Sequence, residues 1–280
     1  MADGQFTAQT WDFGRDLRGY KWPAPNARAS LLLTHGFAEY AERYVERYNQ
    51  LIPHLNELGF DVYAFDMRGH GRSPGARGVA DIKRTVEDHK AARRALAVNG
   101  KPIFLFGHSL GGLVTAASVA DEPNNVAGVV LSAPGLLFEA PAHLRVIANV
   151  FAVLAPGLRV AAAGEPSGIS RIEEEVEAYK NDPMISGLGI PAKLGVTAVA
   201  VAEKAWTQYP RWTAPVLVFH GVNDQLTASK GSERFVATIG AKDKRLELYP
   251  EARHEILNDL NRDAAMSLLS NWLSERIARA

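Results

Sequence analysis

Apolar residues in this chain follow two rhythms that take turns along its length. Runs that are apolar nearly throughout stand at residues 31–34, 61–66, 103–106, 128–131, 215–220 and 246–249. Strands buried on both faces need such runs. Between them, apolar positions recur every three to four residues. Tyr48, Leu51, Ile52, Leu55 and Leu58 form one such stripe, and Met266, Leu269, Trp272, Leu273 and Ile277 another. Each stripe predicts an amphipathic helix. Strand and helix signals in alternation predict a mostly parallel sheet covered by helices, an α/β fold.

The alternation stops at residues 134–211, which are helical in character, rich in alanine and punctuated by Pro141, Pro156, Pro166, Pro183 and Pro191. The segment falls between one strand and the next, so it is an insertion that would lie over the strand ends. It predicts a helical lid (134–211) on a core made of residues 1–133 and 212–280. Its most apolar part, residues 146–163, is broken by Asn149, Pro156 and Arg159. A bilayer span needs about 20 continuous apolar residues, so a helix pair is expected there instead.

Composition removes several kinds of chemistry. The 280 residues are 47% hydrophobic and 22% charged, with 31 basic and 31 acidic side chains and a formal net charge of zero. That balance leaves no basic excess to hold nucleic acid. Cysteine is absent, which excludes disulfides, thiolate catalysis and cysteine metal sites. Residues 1–11 are polar and lack the basic and apolar regions of a signal peptide, so a cytoplasmic location is expected.

One motif does suggest a reaction. Gly107-His108-Ser109-Leu110-Gly111 fits Gly-x-Ser-x-Gly, in which a sharp turn between strand and helix pushes a serine hydroxyl out above the sheet. The apolar run 103–106 directly precedes it, and Gly111, Gly112, Ala116 and Ala117 suit a closely packed helix after it. A serine hydroxyl needs a base, itself oriented by an acid, and on such folds the chain order is Ser, then Asp or Glu, then His. His254 is the only histidine beyond the run 215–220, and Asp224 comes just past that run. Asp259 and Glu251 are rival acids, but neither closes a strand. His254-Glu255 lacks the second histidine of a zinc motif, and no metal is expected. Acyl transfer also needs donors for an oxyanion: the N–H of Leu110, after the nucleophile, and that of Phe37 in the early loop Thr34-His35-Gly36-Phe37. His35 and His70 are expected to be hydrogen-bonded loop residues. His54, His89 and His143 should be helix-surface or core residues, and His108 and His220 should pack. The run from Asp66 to Ser73 is no phosphate loop, and its arginines are expected to support the oxyanion loop.

Together these segments resemble the monoacylglycerol lipase and lysophospholipase group of α/β-hydrolases. His35-Gly36-Phe37-Ala38-Glu39-Tyr40-Ala41-Glu42-Arg43-Tyr44 is similar to that group's His-Gly-x-Gly-Glu-His-Ser-x-Arg-Tyr, and residues 66–73 to its second signature. The elbow, His220-Gly221-x-x-Asp224 and His254-Glu255 follow in the family's order, and residues 178–183 resemble a lid segment of bacterial members. The resemblance implies an eight-stranded, mostly parallel sheet, a triad of Ser109, Asp224 and His254, and oxyanion donors at Phe37 and Leu110. It also implies substrate-binding roles for Glu39 and Arg43 at the alcohol end. Ala38 and Tyr40 replace the family's glycine and histidine beside that pocket. The implied reaction is hydrolysis of a small-molecule acyl ester without a cofactor. A serine aminopeptidase or amidase on the same triad is the alternative, and a non-catalytic interaction protein the distant one. Val146, Ile147, Val150, Phe151, Val153 and Leu154 carry more apolar surface than a solvent-facing helix needs. The surplus is expected to line an acyl tunnel, with Ile147 and Phe151 as substrate-binding candidates, or to touch a lipid surface through the lid.

Overall fold

A computed structural model of the chain describes residues 6–138, 142–185 and 189–279, with backbone alone for 142–147. The chain begins with β1 (Gln9–Thr10), β2 (Gly19–Trp22) and β3 (Ala29–Thr34), followed by α1 (Arg43–Glu46), α2 (Leu51–Glu57) and β4 (Phe60–Phe65). Then come α3 (Ile82–Ala97), β5 (Ile103–His108), α4 (Leu110–Asp121) and β6 (Gly128–Ser132). The stretch before the next sheet strand holds α5 (Ala142–Leu154), β7 (Arg159–Ala161), α6 (Glu173–Asn181), β8 (Ile190–Pro191) and α7 (Ala192–Gln208). The chain closes with β9 (Val216–Gly221), α8 (Ser229–Thr238), β10 (Lys244–Tyr249) and α9 (Arg262–Ile277).

Eight strands form one sheet in the order β1-β2-β4-β3-β5-β6-β9-β10. All neighbours from β4 to β10 are parallel, while β2 runs antiparallel to both β1 and β4. This is the α/β-hydrolase fold. Successive strand residues point to opposite faces, and each face carries its own core. Leu32, Leu105, Val129 and Val218 join one buried cluster with residues of α3, α4, α7 and α8. Leu31, Leu33, Phe104, Phe106, Leu217 and Phe219 join the other with α2 and α9. Burial on both faces is why these strands read as unbroken apolar runs.

Register levels the strand ends that matter. Thr34 pairs with Gly107, His108 with Ser132, Ser132 with Phe219, and Gly221 with Tyr249. The loops after β3, β5, β9 and β10 therefore leave one edge of the sheet together, where ligands of open α/β sheets bind.

The structure departs from the sequence reading in three places. The strands β1 and β2 carry no long apolar run, and the sequence did not predict them. The helix expected from Tyr48 onward begins at Leu51, as α2, because Tyr48, Asn49 and Gln50 all take positive φ of 56°, 54° and 55°. Residues 146–163 form one helix and then β7 rather than two helices. Three-residue β7 finds its hydrogen bonds on β8, and the Arg159 guanidinium donates to Gly189 O (2.9 Å) and Arg77 O (2.8 Å). The closing helix is as expected, with Met266, Leu269, Trp272, Leu273 and Ile277 all buried. Among the described residues, no helix is long and apolar enough to cross a membrane.

Candidate active site

Strand β5 turns into α4 at Ser109, whose φ of 53° and ψ of −118° are costly for a residue with a Cβ. The turn is held from outside. Ser109 N donates to Ser132 O (3.0 Å), and Ser109 O accepts from Gly135 N (3.0 Å) and Leu113 N (3.2 Å). At Gly111, a Cβ would stand 2.2 Å from Thr34 O and 2.4 Å from His35 O. The glycine is thus required by the close pass of the loop after β3. That loop also touches the nucleophile candidate, since a Cβ on Gly36 would lie 3.2 Å from Ser109 Cβ.

The side chain of Asp224, just past β9, is fully buried, and both of its oxygens are hydrogen-bonded. Its Oδ1 accepts from Leu226 N (2.7 Å) and Thr227 N (3.0 Å). Its Oδ2 faces His254 Nδ1 at 2.7 Å, Thr227 Oγ1 at 2.8 Å and His220 Nε2 at 3.1 Å. Burial opposes the carboxylate charge, but His254 and the His220 hydrogen bond outweigh it and hold Asp224 far below the usual carboxylate range. For His254 the balance has the opposite sign. Burial pushes its pKa down, while Asp224, by charge and hydrogen bond, with Glu255 and Glu39 behind it, raises it above the ordinary histidine value. With Nδ1–H committed to Asp224, the neutral ring has its lone pair on Nε2. The neighbouring His108 ring, 4.7 Å away, is driven to about 4 by burial and by His254, so it stays neutral at pH 7.

The rival acids are occupied elsewhere. Asp259 accepts from Arg171 Nε (2.9 Å), Arg171 N (3.1 Å) and Arg253 N (2.8 Å), and Glu251 is exposed beside Arg171. Asp224 alone among the three candidates meets His254.

The loop carrying Phe37 is braced largely by acceptors of its N–H groups. Gly36 N donates to Glu39 Oε1 (2.6 Å) and Ala41 N to Asp66 Oδ1 (2.9 Å). Met67 N donates to His35 Nε2 (3.0 Å), which leaves His35 Nδ1–H for Gly36 O (2.8 Å). The expected arginine support holds for one of the two: Arg72 pairs with Glu42 at the end of this loop, whereas Arg68 donates to Asp16 O (3.4 Å), away from it.

A buried ionic network underlies this loop. Arg43 donates to Glu39 Oε2 (3.0 Å) and grips Glu255 with two nitrogens (2.7 and 2.9 Å). Tyr44 and Tyr48 hydroxyls donate to Glu39 at 2.7 and 2.9 Å. Burial resists the Glu255 charge, yet Arg43 holds that carboxyl down to about 2. The left-handed turn at Tyr48 serves this contact, placing its hydroxyl on Glu39 and its N–H on Asn258.

Gly36, Phe37, Ser109, Leu110 and His254 line a single cavity of about 1050 Å³, walled mostly by apolar residues such as Leu137, Phe138, Leu158, Leu194 and Val199. Glu39, Glu255 and Tyr179 also line it. Arg43 does not. Its side chain is buried behind Glu39 and Glu255, because an unscreened guanidinium among carboxylates is best satisfied between them. The lid candidates divide. Phe151 lines the cavity, whereas the side chain of Ile147, like that of His143, lies outside those described. Sequence reasoning passed over Thr227, Tyr48 and Glu255 as site partners and treated His220 as packing. The His-Gly-x-x-Asp spacing was the one available signal for His220. Glu255 meets its partner 212 residues away, which no local pattern reveals.

Comparison with known proteins agrees with this architecture. Residues 25–261 match the family described as serine aminopeptidase, S33. The monoacylglycerol lipase of Mycolicibacterium smegmatis is 32% identical over 261 residues, 90% of each chain. Human monoglyceride lipase is 30% identical, over 93% of this chain and 87% of its own. The crystal structure of Paleococcus ferrophilus monoacylglycerol lipase, 33% identical, aligns with a TM-score of 0.84 over 94% of this chain and all (100%) of that one. With its fold and most of its length in common with these proteins, the chain belongs to the serine aminopeptidase S33 family of α/β-hydrolases.

Proposed function

We propose that the protein is a carboxylic ester hydrolase of the monoacylglycerol lipase kind, working through an acyl-enzyme on Ser109. One observation carries the reading: His254, with Nδ1 held 2.7 Å from Asp224 Oδ2, opens onto the same apolar cavity as the strained Ser109. His254 Nε2 takes the proton of Ser109 Oγ as Oγ bonds to the ester carbonyl carbon. The N–H groups of Phe37 and Leu110 hold the resulting oxyanion. As the carbonyl re-forms, the C–O bond to the alcohol breaks, and the alkoxide leaves with the proton from His254. A water then gives its proton to His254, adds to the acyl carbon, and the second collapse returns the proton to Ser109 and releases the acid. Asp224 keeps the imidazole in the right tautomer and balances its charge. None of these steps draws on a cofactor.

The cavity suits an acyl chain, and the buried charge of Glu39, held by Gly36 N, Tyr44, Arg43 and Tyr48, gives the cavity a polar end for the alcohol. Residues 134–211 act as the lid over the site. Val150, Val153 and Leu154, at 51%, 79% and 77% exposed, give that lid an apolar outer face, which supports transient contact with the lipid surface that holds such substrates. Sedimentation of the protein with phospholipid vesicles checks this. The family description favours one other reading, an aminopeptidase or amidase on the same triad. Turnover of acylglycerols and aryl esters against aminoacyl anilides decides between them. The central test is covalent labelling by a fluorophosphonate. The wild-type protein should label stoichiometrically, and Ser109→Ala should neither label nor turn over while keeping its melting temperature. A labelled Ser109→Ala protein would move the nucleophile elsewhere.

A further inference from the structure

The Asp224 carboxylate serves two imidazoles, and the triad uses only one. His220, the fifth residue of β9, is fully buried. Its Nε2 lies 3.1 Å from Asp224 Oδ2 and 3.1 Å from Thr227 O. Both of those atoms are acceptors only, so Nε2 must carry a proton and donate it to them. Its Nδ1 lies 2.7 Å from Ser232 Oγ, in α8, and the serine hydroxyl can donate to that lone pair. Nε2 thereby carries a proton aimed at the oxygen that also receives His254 Nδ1–H at 2.7 Å. A residue that only filled space at this buried point would need neither nitrogen, and an apolar side chain would avoid the cost of burying both.

We propose that His220 is a positioning residue of the triad, whose Nε2–H holds Asp224 Oδ2 in line with His254 and takes up part of its negative charge. The inference rests on the triad reading above. A carboxylate oxygen shared among donors attracts each of them less. His220 therefore moderates the hold of Asp224 on His254, and with it the proton affinity of the base. The groups facing His254 are Asp224, Thr227, His108, Glu39 and Glu255, and of these His220 touches Asp224 and Thr227.

The direction of the effect distinguishes this role from a structural one. In His220→Leu, Asp224 keeps its charge but loses a donor, so it pulls harder on the His254 proton. The acid limb of kcat/KM against pH should move to higher pH, by on the order of half a unit to one unit. His220→Gln, which can still present an N–H near the position of Nε2, should restore the wild-type limb. Simple loosening of the fold would lower kcat/KM at every pH without moving the limb. An unmoved limb in folded His220→Leu, or a His220→Gln limb displaced as far as that of His220→Leu, overturns the proposal. Nitrogen-15 NMR of the wild-type protein tests it without any variant. His220 should show a protonated Nε2, and an unprotonated Nε2 overturns the assignment. Fluorophosphonate labelling of the wild type keeps the two readings apart. If Ser109 labels and the His220 results fail, only this inference falls; if Ser109 does not label, the triad reading falls first.

Discussion

At the scale of single residues, the site depends on where one proton prefers to sit. A serine gives up its proton only to a base that is neutral beforehand and stabilised once charged. Burial alone would drive His254 to a low pKa and make it a poor acceptor; Asp224 reverses that and raises it. Because the base must be unprotonated to act, kcat/KM should rise with pH through the His254 pKa, which lies above the ordinary value of about 6.5. Asp224→Asn removes the strongest upward influence and leaves burial unopposed except by the more distant Glu255 and Glu39. The acid limb of this variant should move to lower pH, opposite to the shift expected for His220→Leu. Turnover should fall by about 10⁴-fold as the tautomer and the balancing charge are lost. A pH–rate profile on a soluble aryl ester measures both. A limb unchanged in position would show that Asp224 does not govern the base.

Elements hold these residues by steric necessity and by buried charge, and the two were not equally legible in the chain. The elbow could be read because its constraint is local. Gly111 is a glycine since a Cβ there would strike Thr34 O, and such an exclusion leaves a fixed spacing in the sequence. Asp224 and His254 could be read because chain order and strand ends limited the choice. Both core strands and the closing helix follow from apolar periodicity. The edge strand β1 and its neighbour β2 could not be read that way. Gln9–Thr10 is exposed, and Gly19–Trp22 is short and set by pairing with β4. The network of Glu39, Arg43, Tyr48 and Glu255 was equally hidden. Its members come from the loop after β3, the start of α1, the turn between α1 and α2 and the loop after β10, and charge gives no periodic signal. Arg43 was expected at the alcohol pocket on resemblance, but it sits behind that pocket, between two carboxylates. Arg43→Ala would leave Glu39 and Glu255 buried without their partner. The cost should be about 3–5 kcal/mol of stability, the range found when one side of a buried ion pair is removed. Chemical denaturation measures it directly. A loss below 1 kcal/mol would mean that the carboxylates find water or protons at little expense.

Over the whole molecule, the sheet presents Ser109, Asp224 and His254 beyond the ends of its strands, and the segment between β6 and β9 supplies most of the apolar wall above them. Helix α7 joins the two parts, since Leu194, Ala198 and Val201 belong to the core cluster, and Leu194, Ala198 and Val199 also line the cavity. Helix α5 is less committed. Its Ala152 is buried, its Val153 and Leu154 face outward, and Phe151, 37% exposed, turns toward the cavity. Substitution there should alter what the cavity holds without disturbing Ser109 or Asp224. Each methylene buried from water contributes about 0.8 kcal/mol, so a wall residue that shields several methylenes changes long acyl chains more than short ones. Phe151→Ser should therefore leave turnover of an acetate ester and fluorophosphonate labelling near wild type. For a ten- to twelve-carbon acyl ester, kcat/KM should fall roughly 10- to 100-fold, equivalent to losing about two or three buried methylenes. A panel of esters with one alcohol and increasing acyl length measures the change as a slope, which cancels any loss common to all chains. If the slope matches wild type while activity falls equally at every length, Phe151 packs the lid and takes no part in holding the acyl chain.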